Sequence, residues 1–146
     1  MVVRLTRRPL TVAAAEDWLA SRRGGGIVVF AGRVRPDRRG GSTVVALDYE
    51  IDAVPALARL RVLERRARRR FGASGLVLWH RFGRVPVGEV AVVVGACCRH
   101  REEAFAAARY LIDELKTTVP IWKELRESPE RRRRRRRGPP GVQSSD

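Results

Sequence analysis

The sequence is poor in the residues that build disulfide frameworks, metal centres and membrane spans. It contains two cysteines, adjacent at positions 97 and 98, and two histidines among 146 residues. Adjacent cysteines do not make a disulfide framework, and so few Cys and His side chains leave a zinc site short of ligands. The longest apolar run, residues 90–98, falls well below the ~20 residues of a membrane-spanning helix. With no apolar signal segment at the N-terminus, we expect a cytoplasmic protein.

Lysine is also scarce, because Lys116 and Lys123 are the only two among 31 basic residues. They flank Pro120, and arginine supplies the rest. A guanidinium keeps its proton at any working pH, whereas an amine can lose it. One interpretation is that both positions need an amine as a nucleophile, an acid–base group or a compact cation. The other is chance placement, with Lys116 complementing the C-terminus of a helix.

Positive charge dominates what is present. The net charge is +15, and it is +9 without residues 131–146, which begin with seven consecutive arginines. Such a balance favours an anionic partner: a phosphorylated small molecule, an acidic protein or a polyanion. Residues 128–146 are predicted to be a disordered basic tail. Residues 1–127 remain as one domain, with enough apolar material for a modest core.

Hydrophobic periodicity predicts strands at residues 2–6, 27–35, 43–51, 76–79 and 90–98, and helices beginning near Thr11, Asp52 and His100. The order βαββαββα is typical of an α+β fold with a largely antiparallel sheet. Residues 27–35 and 43–51 are predicted to form a long hairpin. Phe30 is predicted to be a core residue. The predicted inner face of the third helix comprises Phe105, Ala108, Leu111, Ile112 and Leu115.

The start of the third helix gathers positive charge where a helix prefers negative charge. His100 and Arg101, beside free backbone N–H groups, favour a phosphate site, although Glu102 and Glu103 offer an alternative as neutralising partners. His100 and Lys116 lie 16 residues apart, ~24 Å along one helix. One small substrate cannot touch both ends, so a site that uses both needs two copies of the chain, as in a two-fold dimer.

Two further pairs of residues invite a functional interpretation. Arg33 and Arg35 alternate on a predicted strand and face one side, so an anion is expected between them. This anion is expected to be either a carboxylate, from Asp37 or Glu50, or a phosphate. Cys97 and Cys98 are predicted to be buried structural thiols facing opposite sides of a strand.

Two other local patterns, the glycines at 24–26 and the His80-Arg81 pair, do not indicate a functional motif. The glycines at 24–26 precede a strand, whereas Walker and Rossmann phosphate loops lead into a helix. His80 and Arg81, which follow a predicted strand, are expected to be structural residues.

Five ordered motifs together resemble the family of molybdopterin synthase catalytic (large) subunits, over about residues 2–125. They are residues 30–35 (FAGRVR), 47–50 (LDYE), 80–89 (HRFGRVPVGE), 100–105 (HREEAF) and 115–123 (LKTTVPIWK). The resemblance implies an α/β-hammerhead fold and a central homodimer, with a small ubiquitin-like sulfur carrier at each end of a heterotetramer. It also implies transfer of sulfur from the carrier's C-terminal Gly-Gly thiocarboxylate to cyclic pyranopterin monophosphate, forming the molybdopterin dithiolene.

The resemblance also implies roles for individual residues. Lys116 matches the family's essential lysine and Lys123 its second active-site lysine. Residues 33–35 (Arg33, Val34 and Arg35) match the segment that binds substrate, and His100-Arg101 match the pair contributed across the dimer. The family's glutamate after the tryptophan is matched by Glu124, one position early. Neither a metal nor a cofactor is implied, nor is a membrane or nucleic-acid partner.

The chain departs from the family pattern in its last part. After Trp122 the family shows Lys-Lys-Glu or Lys-Arg-Glu, whereas this chain has Lys123-Glu124-Leu125. The family's further C-terminal segment is replaced by the arginine tail. Two alternatives therefore stand beside a molybdopterin synthase. One is a basic nucleic-acid-binding module that uses the tail, and the other is a homologue that binds the carrier but is catalytically impaired.

Overall fold

The computed structural model of the chain describes residues 2–39 and 41–128. The tail predicted at 128–146 lies outside the described residues, apart from Ser128. No helix in the described part is long and apolar enough to cross a membrane. The elements, in order, are β1 (Val3–Thr6), α1 (Val12–Ala20), β2 (Gly26–Arg33), β3 (Arg38–Arg39), β4 (Ser42–Ile51), α2 (Ala53–Phe71), β5 (Gly75–Arg81), β6 (Gly83–Pro86), β7 (Val90–Cys98), α3 (Arg101–Thr118) and β8 (Ile121–Glu127).

The larger sheet has the strand order β1-β5-β7-β2. β1 runs parallel to β5, and the other neighbours are antiparallel. β5 and β7 are buried along nearly their whole length. Strands of this kind are almost continuously apolar because helices cover both faces of the sheet. Among the described strands, β2 has a neighbour on one side only and forms an edge of the sheet.

Helices α2 and α3 cover one face of this sheet, and α1 covers the other. Side chains alternate along β7, so that Val94 and Cys98 pack under α2 and α3, while Val93 and Cys97 pack under α1. Both thiols are buried and free, facing opposite sides as predicted. Burial raises the pKa of the Cys98 thiol, which disfavours the reactive thiolate.

The helices begin close to the predicted residues. Asp52 precedes α2, and Gly72 ends it in the left-handed conformation with φ 62°, which glycine adopts without steric cost. α3 begins directly after His100 and ends at Thr118, two residues before Pro120. Thr11 accepts a hydrogen bond from the backbone N–H of Ala14 and caps α1.

A smaller sheet is built around β4, which pairs with β3, β6 and β8 in antiparallel register. Its inner side and the loops beside it bury what we call the small-sheet core: Val34, Val44, Leu47, Val85 and Ala91. Two mostly antiparallel sheets with three helices confirm the predicted α+β class.

The predicted hairpin between residues 27–35 and 43–51 is wrong. β2 pairs with β7, and the partners of β4 are β3, β6 and β8. β4 carries Asp48 and Glu50, so it needs solvent near one face. Val28 and Val29 of β2 instead pack on opposite faces of the larger sheet, each under the helices that cover that face.

Two aromatic residues predicted to be buried are exposed. Phe105 is 63% exposed and Phe30 is 42% exposed. α3 approaches the sheet through small side chains, notably Ala104, Ala107 and Ala108, and this rotates Phe105 outward. Phe30 is exposed because β2 is an edge strand.

Candidate active site

Helix α3 carries predicted site residues at both of its ends. His100 precedes the helix in an extended conformation, and its side chain makes no capping hydrogen bond. Glu102 and Glu103 lie in the first turn, where carboxylates interact favourably with the helix dipole. His100 and Arg101 are exposed. Their side chains are therefore accessible to a second molecule.

Three consecutive glycines fix the backbone beneath this basic pair. A Cβ at Gly24 would lie 2.5 Å from the carbonyl oxygen of Cys98, and one at Gly26 would lie 3.0 Å from the Cα of Arg101. The N–H of Gly25 donates to the carbonyl of Arg99 at 3.1 Å. Residues 24–26 therefore pack directly on the turn that leads into α3, a contact that the sequence did not reveal.

Lys116 lies in the last turn of α3 and is exposed. Because α3 follows β7 and packs back along it, the C-terminal end of the helix returns to the end of the sheet where β7 begins. Val90, the first residue of β7, pairs with Arg33. The fold thus brings Lys116 and Arg33 to one end of the molecule.

Residues 33–35 alternate between solvent and core. Arg33 and Arg35 are exposed, whereas Val34 between them is 3% exposed and belongs to the small-sheet core. Arg35 forms an ion pair with Asp37 at 3.3 Å, so one of the two carboxylates that the sequence offered contacts Arg35. Since Arg35 remains largely exposed, it stays available to a further anion.

An ion pair with a buried arginine supports this segment from the inner side. Arg81 Nη1 donates to Glu89 Oε1 at 3.0 Å, and the Arg81 side chain is 6% exposed. The backbone of Glu89 accepts from the N–H of Val34, and the N–H of Gly88 donates to the carbonyl of Val34. Gly88 holds a φ of 87° that few other residues tolerate. Residues 81–89 thereby fix Val34 and the two arginines beside it.

Lys123 lies on β8, opposite Tyr49 of β4. Cross-strand partners share a face, so Lys123 lies on the side of the small sheet where Tyr49 packs against the small-sheet core. The Tyr49 ring meets the buried His80 ring edge-on at 5.0 Å. Burial raises the pKa of Tyr49 and lowers that of His80.

Glu124 lies on the opposite face of β8 from Lys123, because neighbouring residues on a strand alternate. Its cross-strand partner is Asp48, which accepts hydrogen bonds from Arg84 and Arg126. These two guanidiniums hold the pKa of Asp48 below its usual value. The arrangement offsets repulsion between two carboxylates, and it separates Glu124 from the face that carries Lys123.

The predicted site residues divide into two groups within one chain. Arg33, Arg35 and Lys116 lie at one end of the larger sheet, with Lys123 on the adjoining small sheet. His100 and Arg101 lie at the other end, ~24 Å away by the length of α3. Within the described residues, no group of three His, Cys, Asp or Glu side chains is placed to hold a metal ion.

Exposed apolar side chains mark the edge of the larger sheet between these two ends. Ile27 is 44% and Phe30 42% exposed on β2, and Phe105 projects from α3 nearby. Phe30 lies on the same face of β2 as Val28, which packs beneath α3. Phe30 and Phe105 are therefore both exposed on the α3 side of the sheet.

Comparison with known proteins identifies the relatives of this chain. A family model described as MoaE protein matches residues 5–118. The molybdopterin synthase catalytic subunit of Oryza sativa subsp. indica is 41% identical over 115 residues, covering 79% of this chain and 59% of the rice protein. Molybdopterin synthase catalytic subunit 1 of Mycobacterium tuberculosis is 39% identical over 121 residues, covering 83% and 82%. The chain thus spans about three fifths of the rice relative and about four fifths of the mycobacterial one.

Solved structures show the same fold. The crystal structure of molybdopterin synthase from Staphylococcus aureus matches with a TM-score of 0.76 and 25% identity, covering 86% of this chain and 90% of that one. A molybdopterin cofactor biosynthesis protein E from Burkholderia multivorans matches with a TM-score of 0.73 and 27% identity, covering 86% and 89%. A complex of subunits 1 and 2 of molybdopterin-converting factor from Helicobacter pylori matches in fold, with a TM-score of 0.69, 21% identity and coverage of 90% and 92%.

Proposed function

Because the chain belongs to the MoaE protein family, we propose that it is the catalytic subunit of a molybdopterin synthase. It transfers sulfur from the thiocarboxylated C-terminus of a small ubiquitin-like carrier to cyclic pyranopterin monophosphate. The observation that carries this proposal is the placement of Lys116, in the last turn of α3, and Arg33, paired with the first residue of β7, at the same end of the larger sheet. An amine and guanidiniums at one end of the sheet suit a reaction between two anions.

Each side chain at this end has a role in the proposed reaction. The carrier's thiocarboxylate sulfur attacks an electrophilic carbon of the pterin side chain and forms a C–S bond, while a C–O bond of that carbon breaks and its oxygen leaves with the electron pair and takes up a proton. Water then cleaves the bond between that sulfur and the carrier's acyl carbon, releasing a carboxylate. Lys116 acts as the proton donor or compact cation in these steps, and Lys123 supports it. Arg33 and Arg35, held by the buried Val34, bind the substrate phosphate.

The second half of the site comes from another copy of the chain. His100 and Arg101 lie too far from Lys116 to meet the same small substrate within one chain. A two-fold axis beside β2 would bring these residues of one copy to the Lys116 end of the other. The exposed Ile27 and Phe30 on β2, with Phe105 on α3, supply the apolar area for that homodimer.

The sulfur carrier is the other proposed partner. Its Gly-Gly terminus has no side chains, so it can enter a narrow passage and present the thiocarboxylate to Lys116. Leu125, on the Lys123 face of β8, is 40% exposed, and Trp122, on the Glu124 face, is 59% exposed; each offers apolar contact for the body of the carrier at its own face of this edge strand. Glu124 takes part by contacting the carrier or substrate on its own face of β8. The proposed location of this reaction is the cytoplasm, whose reducing conditions are compatible with the buried free thiols Cys97 and Cys98.

A turnover assay tests this proposal. Purified full-length protein is mixed with thiocarboxylated carrier and cyclic pyranopterin monophosphate, and the dithiolene product is measured. We expect Lys116→Ala to lower turnover by about 100-fold or more, and Lys116→Arg not to restore it, because a guanidinium does not donate its proton. Arg109→Gln, which removes a positive charge from the exposed side of the same helix, serves as the control and should retain turnover.

Three outcomes would contradict parts of the proposal. Near-normal turnover by Lys116→Arg would remove the argument for an amine. A folded wild-type protein that binds the carrier but makes no product would favour the impaired homologue, with the altered segment at Lys123 as its cause. Absence of carrier binding, combined with polyanion binding that is lost with residues 131–146, would favour the basic nucleic-acid-binding module.

A further inference from the structure

An arginine-lined groove lies between α2 and α3, apart from every residue used above. It has a volume of about 430 Å³ and is lined by Val62, Arg65, Arg66, Arg69, Arg70 and Tyr110. The spacing of its α2 residues, i, i+3, i+4, i+7 and i+8, places them on one continuous helix face. No carboxylate lines the groove. We refer to it as the arginine groove.

The four guanidiniums of the arginine groove have no anionic partner among the described residues. Ion pairs nearby involve other arginines: Arg59 pairs with Glu114 at 3.9 Å, and Arg68 pairs with Glu64 at 2.8 Å. Like charges four residues apart on a helix repel each other, so Arg65 with Arg69 and Arg66 with Arg70 oppose helix stability. For Arg69 and Arg70, which lie in the last turn, a favourable interaction with the helix dipole offsets this repulsion. It does not account for the pair one turn earlier.

One of these side chains is already held in place. The Arg70 guanidinium lies over the rings of Phe71 and Tyr110, at 5.1 and 5.4 Å from their centroids. Such stacking fixes the plane of a guanidinium while leaving its N–H groups free to donate. An anion entering the groove would therefore meet at least one preorganised donor group, which lowers the entropic cost of binding.

The size of the charged surface indicates the kind of anion. Arg65 to Arg70 span about 7.5 Å along the helix axis, and two nearby arginines, Arg68 within that span and Arg59 before it, are already paired with Glu64 and Glu114. A short, dense cluster of four positive charges is best neutralised by one compact anion with three or four negative charges. A dicarboxylate supplies too few charges, and an extended polymer would continue past the free guanidiniums.

We propose that the arginine groove binds an oligophosphate group, either free or carried by a nucleotide. Guanidinium forks match phosphate oxygens in bidentate geometry, and the triphosphate chain fits the groove's volume. The site is separate from the proposed sulfur-transfer site, so binding there does not depend on that proposal.

Isothermal titration with tripolyphosphate at about 0.15 M ionic strength tests the proposal on the full-length chain. The groove variant carries Arg65→Gln, Arg66→Gln, Arg69→Gln and Arg70→Gln. The matched control removes the same charge from exposed arginines elsewhere, with Arg7→Gln, Arg8→Gln, Arg22→Gln and Arg23→Gln. Because both variants keep the arginine tail, any contribution of the tail is the same in both.

We expect the groove variant to bind tripolyphosphate at least about tenfold more weakly than the control variant. Equal weakening in both variants, or no weakening in the groove variant, would overturn the proposal. A double variant, Arg66→Gln with Arg70→Gln, should show an intermediate loss, and it replaces the quadruple variant if circular dichroism shows that one to be unfolded.

Two further titrations identify the source of the phosphate. Tighter binding of ATP than of tripolyphosphate, lost in the groove variant, would support a nucleotide; equal binding would support a free oligophosphate. Groove-dependent binding of a short single-stranded oligonucleotide that is tighter than either would overturn the compact-anion proposal in favour of a nucleic acid backbone.

Discussion

Arg81 and Glu89 form an ion pair in which the two partners differ sharply in exposure. The arginine side chain is 6% exposed and the glutamate side chain 42% exposed, with 3.0 Å between Nη1 and Oε1. Arg81 Nε is buried without a hydrogen-bond partner in the described structure. The cation therefore depends on Glu89 far more than the carboxylate depends on Arg81, and Glu89 also holds the backbone of Val34.

This asymmetry predicts unequal effects of removing either partner. Glu89→Ala leaves a buried positive charge unpaired and should lower the free energy of unfolding by about 3 kcal/mol. Arg81→Met keeps most of the volume and leaves a carboxylate that water can reach, so its cost should be about 1–2 kcal/mol. Urea unfolding of both variants measures the difference. A greater loss in Arg81→Met than in Glu89→Ala would contradict the interpretation.

Mixing two inactive variants tests whether each site is shared between two copies. Lys116→Ala and His100→Ala should each have low turnover, because each damages both sites of a homodimer. After the subunits are exchanged, a mixed dimer has one site with both residues intact, so equal mixing should restore about a quarter of wild-type turnover.

Size-exclusion chromatography and a mixture of Lys116→Ala with Lys116→Ala/His100→Ala provide the controls. In that mixture no site regains Lys116, so turnover should stay low. If the first mixture also stays inactive although its subunits exchange, His100 and Lys116 do not act in one shared site.

The burial of His80 leads us to predict that the free energy of unfolding declines in mild acid. Burial lowers its pKa from the ordinary value of 6.5, so the unfolded chain binds a proton more readily than the folded one. The contribution of His80 to the free energy of unfolding is therefore complete above pH about 6.5. It is lost as the pH falls toward the lower pKa of the folded state, by at most about 1.4 kcal/mol per pH unit.

Urea unfolding of wild type and His80→Phe between pH 7.5 and 5.5 measures this effect. Phenylalanine keeps the ring contact with Tyr49 but has no titrating nitrogen, so its stability should fall less steeply. His100 is present in both proteins and cancels in the comparison. Identical slopes would show that His80 is not the group responsible.

The close packing of β2 against the start of α3 predicts that a methyl group at Gly26 lowers stability. A Cβ there would approach the backbone of Arg101 to 3.0 Å, and backbone atoms cannot move aside as a side chain can. Gly26→Ala should therefore lower stability by about 1–3 kcal/mol. Gly24→Ala, whose Cβ would approach the carbonyl oxygen of Cys98 to 2.5 Å, should cost more than Gly26→Ala. Thermal unfolding compares the two, and the opposite ranking would contradict this account.

The sequence predicted what depends on short-range pattern. Apolar spacing and capping residues located all three helices, and alternation correctly placed Cys97 and Cys98 on opposite faces. The motifs also identified the family, and the matching family model confirms it. Such features need only residues that are close in the chain or a characteristic order of motifs.

Strand pairing and side-chain exposure depended on partners far apart in sequence, and there the predictions were incomplete. The pairing of β2 with β7 joins residues about sixty positions apart, and no local signal favours it over a hairpin with β4. Phe105 has the spacing of a core residue, but the alanines beside it bring α3 close to the sheet and exclude it. The brace from Arg81 and Glu89 to Val34 likewise arises from tertiary packing.

The open side of β2 also affects the newly made chain before the homodimer proposed above can form. From Ile27 to Ala31 the strand contains neither a proline nor a charged residue, the usual devices that keep an edge from joining other strands. Such a segment favours cross-β aggregation while it is uncovered. Solubility in the cell should therefore depend on how quickly subunits assemble, so that low expression or a damaged interface yields inclusion bodies rather than stable monomers.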